Sequence, residues 1–333
     1  MKNKDIEQYI IGIGTANIDV YGKSVSKIKI HHDLPAEIYT SVGGVTRNIL
    51  VNYALLGGMA KMMCAIGNDI FADAILNDLK KNGIDVSNVV KTDKYHTSTF
   101  MQVQDDDNDM YLALCDMSSM KQITSKYLKD RKEVILNSKL VIFDPSIEES
   151  VIKTLISICK DKVPIYVDPI SDNYALKLKP YVKYFTCIKP NKSELECLSG
   201  IKIKDDKDVY KACELIIKQG TKEIFVSLGR NGILYMDSSG NKIRSKFKKK
   251  YNAVNASGAG DAAMAAIIHG YTHNLKKEKT IDYALAAGIS AISVIDAVNE
   301  NISIKALNKI IKENDTKWII KIIYQLHQKL SKP

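Results

Sequence analysis

The sequence predicts an α/β protein: a mostly parallel sheet with helices on both faces, into which a second, smaller sheet is inserted. Three observations carry this. Short β-branched runs alternate with longer helical patterns along most of the chain. The runs are apolar without alternation, as strands covered on both faces must be. Two stretches, about residues 16–40 and 94–118, break the rhythm and alternate polar with apolar residues at period two.

In chain order, "YIIGIG" predicts the first strand. "RNILVNYALLG" predicts a helix stopped by Gly57 and Gly58, and "AKMMCAIG" the next strand. "IFADAILNDLKKNG" is a helix with Gly83 as its stop. "KLVIFD", "VPIYVDP", "YFTCIKP" and "EIFVSLG" are apolar strands, each ending in a polar or glycine-containing turn. "EESVIKTLISICK", "DVYKACELIIKQG" and "IDYALAAGISAISVI" are helices between or after them. The period-two stretches read as antiparallel strands, the second turning at Asp105–Asp109. They are either plain surface hairpins or a lid over a site. Repeats, low-complexity tracts and linkers are absent, so a single domain is expected over residues 1–333.

Composition excludes several classes. A chain of 333 residues, 45% hydrophobic and 26% charged, has enough apolar surface for a core without disulfide staples. The net charge of +10 favours anionic partners such as nucleotides. The densest basic run, "KFKKK" at Lys246–Lys250, lacks the interleaved aromatics of a nucleic-acid surface, so no nucleic-acid partner is expected. The six cysteines include no C-x-x-C pair and read as reduced thiols of a reducing compartment. The N-terminal apolar run is short and leads into glycine. Neither a signal peptide nor a membrane-length segment is read there, and a cytoplasmic protein without a membrane partner is expected.

In open parallel sheets, ligands bind at the carboxyl ends of the strands. Candidate polar residues fall there: Asp19, Asp144, Asp168, Asn191 with Glu194, and Ser227 with Gly229. Each, taken alone, is also an ordinary turn former or cap. The stretch "NASGAGD" ends in Asp261 at the mouth of a helical pattern. Gly258 and Gly260 allow a tight turn whose N–H groups point one way, and the helix adds its own unpaired N–H groups. This is an anion hole. A carboxylate beside it either caps the helix or takes a proton from a hydroxyl that attacks a bound phosphate. "VGGVTRN" places Gly43 and Gly44 before another helix, with Asn48 offering a donor and an acceptor. "IGIGTAN" lacks the third glycine of a dinucleotide fingerprint, and no helical pattern follows it. No Walker A sequence is present, and the six histidines show no metal-ligand spacing.

These motifs resemble those of the ribokinase-like (phosphofructokinase B type) carbohydrate and nucleoside kinases. "NASGAGD" is similar to the family's C-terminal signature, "GGVTRN" to its N-terminal one, "KPNKSE" to its N-x-x-E motif and "SLGRNG" to its nucleotide loop. Their order and spacing agree over essentially the whole chain. Within the family, "TANIDVYG", "VPIYVDPIS" and "IKPNKSELECLSGI" look like the pseudouridine kinase subgroup.

The resemblance implies a three-layer α/β/α core with a small β-sheet lid, and transfer of the ATP γ-phosphate to the 5′-hydroxyl of pseudouridine. Ribose, another nucleoside or a hexose is the alternative acceptor. A non-catalytic nucleotide-binding regulator is the alternative of another class, against which Asp261 and Glu194 both stand. Asp261 would be the base, with the N–H groups of Gly258, Ala259 and Gly260 as anion hole. Asp19, Gly44 and Asn48 would hold sugar hydroxyls, with Asn17 and Gly43 adjacent and Asp144 as a further sugar-contacting acid. Asn191 and Glu194 would organise Mg²⁺ through water and the phosphates. Ser227, Gly229 and Gly232 would line the ATP site. The period-two segments would form the lid, which in relatives often also builds a homodimer. Two positions depart from the pattern. Asn255 stands where relatives often have an Asp that helps bind a monovalent cation, so a cation requirement stays open. The lysine expected soon after the "DP-x-S" run has only Lys177 as its candidate.

Overall fold

The computed structural model describes residues 9–105, 110–249, 251–314 and 316–322. Among these, nine strands form one sheet. Their order is Thr316–Ile322, Lys242–Phe247, Ile233–Asp237, Glu223–Ser227, Cys187–Ile188, Ile165–Val167, Val141–Phe143, Ile10–Ile13 and Ala60–Met63. From Glu223–Ser227 to Ala60–Met63 all neighbours are parallel, and the other three strands add on antiparallel. Ile10–Ile13 is buried at every residue and paired on both sides, which is why its sequence carries no polar alternation.

Helices cover both faces. Val45–Leu55, Ala259–Thr272, Lys277–Ile292 and Ile304–Lys312 pack on one another in one layer. Ser125–Asp130, Glu149–Cys159, Asp172–Leu178, Lys192–Ser199 and Asp206–Gln219 belong to the other. The local signals hold: Asp69 caps Ile70–Lys81 by accepting from the Ala72 N–H at 2.9 Å, and the predicted stop Gly83 turns with φ 72°.

The small sheet corrects one expectation. Its order is Ala36–Gly43, Asn17–Ser24, Thr99–Gln104, Met110–Asp116. Each hairpin is antiparallel, but the two join through a parallel pair that runs from Ile18–Thr99 to Lys23–Gln104. Both inner strands leave the core from the same end, so they can only meet side by side in the same direction. Of the expected turn at Asp105–Asp109, residues 106–109 lie outside the described residues, as does Lys250 of the basic run.

Paired residues share a face of a sheet. Register therefore puts Asp19, Tyr21, Tyr39, Ser41, Phe100 and Cys115 on one face. Val20, Ile38, Met101, Leu112 and Leu114 lie on the other, where all but Val20 are exposed.

Candidate active site

The glycines before Asp261 make the tight turn that their sequence suggested. Gly258 has φ 76°, and a Cβ there would lie 1.8 Å from the Ala297 carbonyl oxygen, so glycine alone fits. It precedes Ala259–Thr272, and no side chain caps that helix. No side chain thus takes the first-turn N–H groups of Ala259 and Gly260, expected with that of Gly258 to form an anion hole, and they lie at the positive end of the helix dipole.

Asp261 does not cap this helix. Its Oδ2 accepts from the Asn48 amide at 2.9 Å, across 213 residues of chain. Burial, and then the Asp168 carboxylate, push its pKa up to about 7, against the pull of the Asn48 hydrogen bond and of Lys189. A base poised near neutrality is what proton abstraction at physiological pH asks for.

Asn48 is held for this contact. Arg47 Nη1 donates to Asn48 Oδ1 at 3.0 Å and to the Val42 carbonyl at 3.0 Å. Arg47 Nε donates to Asp78 at 2.7 Å, in an ion pair almost closed to solvent. A guanidinium only donates, so it fixes which end of the Asn48 amide faces Asp261. The sequence reading missed Arg47. Its signal was a charged residue inside the apolar start of a predicted helix.

On the side expected to take the acceptor, the Asp19 carboxylate takes a 2.6 Å hydrogen bond from Asn17 and lies against Gly43. A Cβ on Gly43 would sit 2.2 Å from Asp19 Oδ2, so the acid can occupy this position only beside glycine. Burial raises the Asp19 pKa, partly offset by Asn17 and Tyr21. Gly44 is the residue preceding Val45–Leu55, with φ 104°. Asp144 is placed differently from expectation. Its two oxygens accept five hydrogen bonds, from Thr15 N–H and hydroxyl, Thr46 hydroxyl, and Ser146 N–H and hydroxyl, and it is fully buried. It ties strand ends together beneath the site. Lys177 is also occupied, donating to the carbonyls of Pro145 at 2.9 Å and Ile147.

On the side expected to take the nucleotide, N-x-x-E is a capping box. Asn191 Oδ1 accepts from the Glu194 N–H at 2.9 Å, and Glu194 Oε2 accepts from the Asn191 N–H at 2.8 Å. Burial, then Asp168, raise the Glu194 pKa to about 7. Ser227 ends its strand, and Gly229 begins a tight loop closed by the Leu228 N–H on the Gly232 carbonyl at 2.8 Å. A cavity of about 610 Å³ opens beside Asn191, Ser227 and Gly229, with Lys192 and Arg244 in its wall. Gly232 closes the loop and does not line this cavity. Asn255 spends its amide on the Ile295 carbonyl at 2.6 Å and its oxygen on the Ser257 N–H at 3.0 Å.

Between the two sides lies a pair that the sequence reading did not assemble. Lys189 Nζ is 3.0 Å from Asp168 Oδ2, and both side chains are buried. A Cβ on Gly260 would be 3.3 Å from the same ammonium. Opposite charge holds the Lys189 pKa up despite its burial. Asp168 stood out as a strand end; Lys189 did not, although a lysine closing the apolar run "CI" was visible. Among the described residues, no group of three or more His, Cys, Asp or Glu could hold a metal ion.

The profile "pfkB family carbohydrate kinase" matches residues 7–303. The chain belongs to the pfkB family of carbohydrate kinases. It is 31% identical over 304 residues to the pseudouridine kinase of Escherichia coli (strain K12), covering 91% of this chain and 96% of that one. A carbohydrate kinase from Agrobacterium tumefaciens superposes with TM-score 0.81 at 18% identity, over 93% of this chain and 99% of that one. Arabidopsis thaliana ribokinase, solved with ribose and ATP, superposes with TM-score 0.79 at 20% identity, over 92% and 99%. This pfkB kinase is therefore a phosphotransferase acting on a sugar or nucleoside hydroxyl, in a three-layer ribokinase-like fold.

Proposed function

We propose that this kinase transfers the γ-phosphoryl group of ATP to the 5′-hydroxyl of pseudouridine. The contact between Asn48 and Asp261 carries the reading. A sugar held by Asp19 and Asn48 has its reactive hydroxyl next to a buried base. Asp261 takes the hydroxyl proton, the oxygen forms a bond to the γ-phosphorus, and the bond to the ADP oxygen breaks. The N–H groups of Gly258, Ala259 and Gly260 meet the charge on the transferring group. Lys189, behind Gly260, adds positive potential there.

Asn191, Glu194 and the loop from Ser227 to Gly232 would hold the nucleotide phosphates with Mg²⁺. One Glu194 oxygen serves the cap and the other remains, which fits an ion held mostly by water and phosphate. Bound there, Mg²⁺ would neutralise phosphate charge.

The acceptor assignment is supported by the 31% identity to a pseudouridine kinase and by Phe100, the direct neighbour of Asp19 on the inner lid face. A nucleobase can stack on that ring. In the lid segments Thr97–Phe100 and Asp116–Ser118, the hydroxyls of Thr97, Ser98 and Thr99 are spent on Asp69, Ser119 and the Thr97 carbonyl, which leaves Phe100 and the Asp116–Ser118 turn. A hydrogen-bond acceptor facing ring N1–H of pseudouridine would be unpaired with uridine, a mismatch worth up to ~10⁴-fold. The test is kcat/KM for pseudouridine, uridine and ribose at saturating MgATP. Uridine or ribose at or above pseudouridine would remove the acceptor assignment and leave the kinase. A cytoplasmic setting is supported by the six cysteines, none of them disulfide-bonded.

A further inference from the structure

Asn48 presents its amide to Asp261 one way round, and the reason lies one residue earlier in the chain. Either end of an amide can satisfy a carboxyl group. The NH₂ donates to a carboxylate, whereas the oxygen accepts from a protonated acid. An unrestrained Asn48 would turn with the charge on Asp261. Arg47 prevents this. Its Nη1 donates to Asn48 Oδ1 at 3.0 Å, so a turned amide would set its NH₂ against a guanidinium that can only donate. The guanidinium is itself fixed. Nε donates to Asp78 Oδ2 at 2.7 Å, Nη2 lies 2.5 Å from Asp78 Oδ1, and Nη1 also donates to the Val42 carbonyl at 3.0 Å. Such a two-pronged pair holds a guanidinium in one plane as well as one place. Asp78 belongs to the helix Ile70–Lys81 and Val42 to the strand Ala36–Gly43, so two further elements steady the amide.

We propose that Arg47 is a positioning residue for the base: it locks the Asn48 amide with its donor end toward Asp261, so that the pair favours the carboxylate over the acid. This rests on the reading above, in which Asp261 takes the proton. The lock matters because little else holds that carboxylate ionised. The charged groups facing Asp261 are Asp168, Lys189 and Asp144, each just past the end of a parallel strand. Burial and the two acids favour the protonated form; only the Asn48 hydrogen bond and Lys189 oppose them. An amide free to turn would accept from protonated Asp261 and change sides in this balance. Fewer molecules would then carry a competent base at neutral pH. Exchanging Arg47 leaves Asp168, Lys189 and Asp144 as they are, so its effect on Asp261 can be read separately from theirs.

The experiment titrates Asp261 by ¹³C NMR, in protein labelled at the aspartate carboxyl carbons, and follows kcat/KM against pH. It compares wild type, Arg47→Met, Asn48→Ala and Arg47→Met with Asn48→Ala. Arg47→Met alone leaves Asp78 without its partner, so Arg47→Met with Asp78→Asn is measured too; it strands no buried charge, and thermal melts check that it folds. Loss of Arg47 should raise the Asp261 titration by roughly half to one pH unit, the worth of one hydrogen bond, and move the rise of kcat/KM by the same amount. At pH 7, kcat/KM should fall roughly three- to tenfold. In the Asn48→Ala background, Arg47→Met should add no further shift, because the amide through which Arg47 acts is gone. A shift that persists there would show that Arg47 acts by its charge and would overturn the proposal. So would an unmoved Asp261 titration in the folded Arg47→Met, Asp78→Asn protein, whatever its activity. If Asp261→Asn stays within tenfold of wild type, the base reading fails alone, and the NMR titration still decides whether Arg47 locks the amide.

Discussion

The carboxylate proposed as the base is held where ionisation is costly. Asp261 is buried, faces Asp168, and is steadied by one amide and a nearby lysine. Two consequences can be measured. Asp261→Asn should lower kcat by about 10²-fold or more while ATP still binds, as for any lost general base. It should also raise Tm. The sign follows from linkage. The folded pKa, about 7, lies above the usual carboxylate value, so the folded state binds more protons than the unfolded chain between those values. Wild-type stability from this group is therefore lost as pH rises from about 4 towards 7, while the amide does not titrate. The Tm gap between the variant and wild type should widen over that range and level off above it. Activity runs the opposite way, with kcat/KM rising with pH through about 7. A variant within tenfold of wild type would remove Asp261 from the chemistry.

At the scale of elements, helix starts carry the site. Ala259–Thr272 begins on a glycine, with no side-chain cap, and so presents N–H groups. Lys192–Ser199 begins with a full capping box and so presents an acid instead. The second arrangement gives a clean separation of roles. Glu194→Gln keeps an oxygen to accept the Asn191 N–H, so the cap and the fold should survive. What it removes is charge beside the phosphates. The Mg²⁺ concentration for half activity should rise and kcat fall, with acceptor affinity measured by calorimetry unaltered. Loss of acceptor affinity at unchanged Mg²⁺ dependence would place Glu194 in the acceptor site instead. Each element could be named from its sequence because its ends are local: Asn191 and Glu194 are three residues apart, as are Gly258 and Asp261.

At the scale of the whole molecule, the outer face of the lid is exposed and apolar among the described residues. On the outer lid face, Met101 pairs with Leu114 and Val103 with Leu112, and Ile38 is 71% exposed. Apolar patches of this kind can mark contact surfaces, and the homodimer implied by the family resemblance is the occupant to test. Sedimentation should find a dimer for wild type and a monomer for Leu114→Lys; a monomeric wild type at micromolar concentration would refute the pairing. Much of the molecule was legible in the linear chain. The apolar runs determined the parallel sheet, the period-two stretches determined the inserted sheet, and the glycines before Asp261 and Val45 determined where backbone N–H groups would be bare. These are effects between neighbours, and neighbours are what a sequence lists. Tertiary structure alone decided the rest. It brought Asn48 to Asp261, locked that amide with Arg47 and Asp78, closed Asp144 into a knot of hydroxyls, and set Lys189 against Asp168 beneath Gly260. It also joined the two hairpins in parallel and stacked Tyr21 on Tyr39. Contacts of this kind join residues far apart in the chain, and their pKa values come from burial and opposing charge, which exist only once the chain has packed.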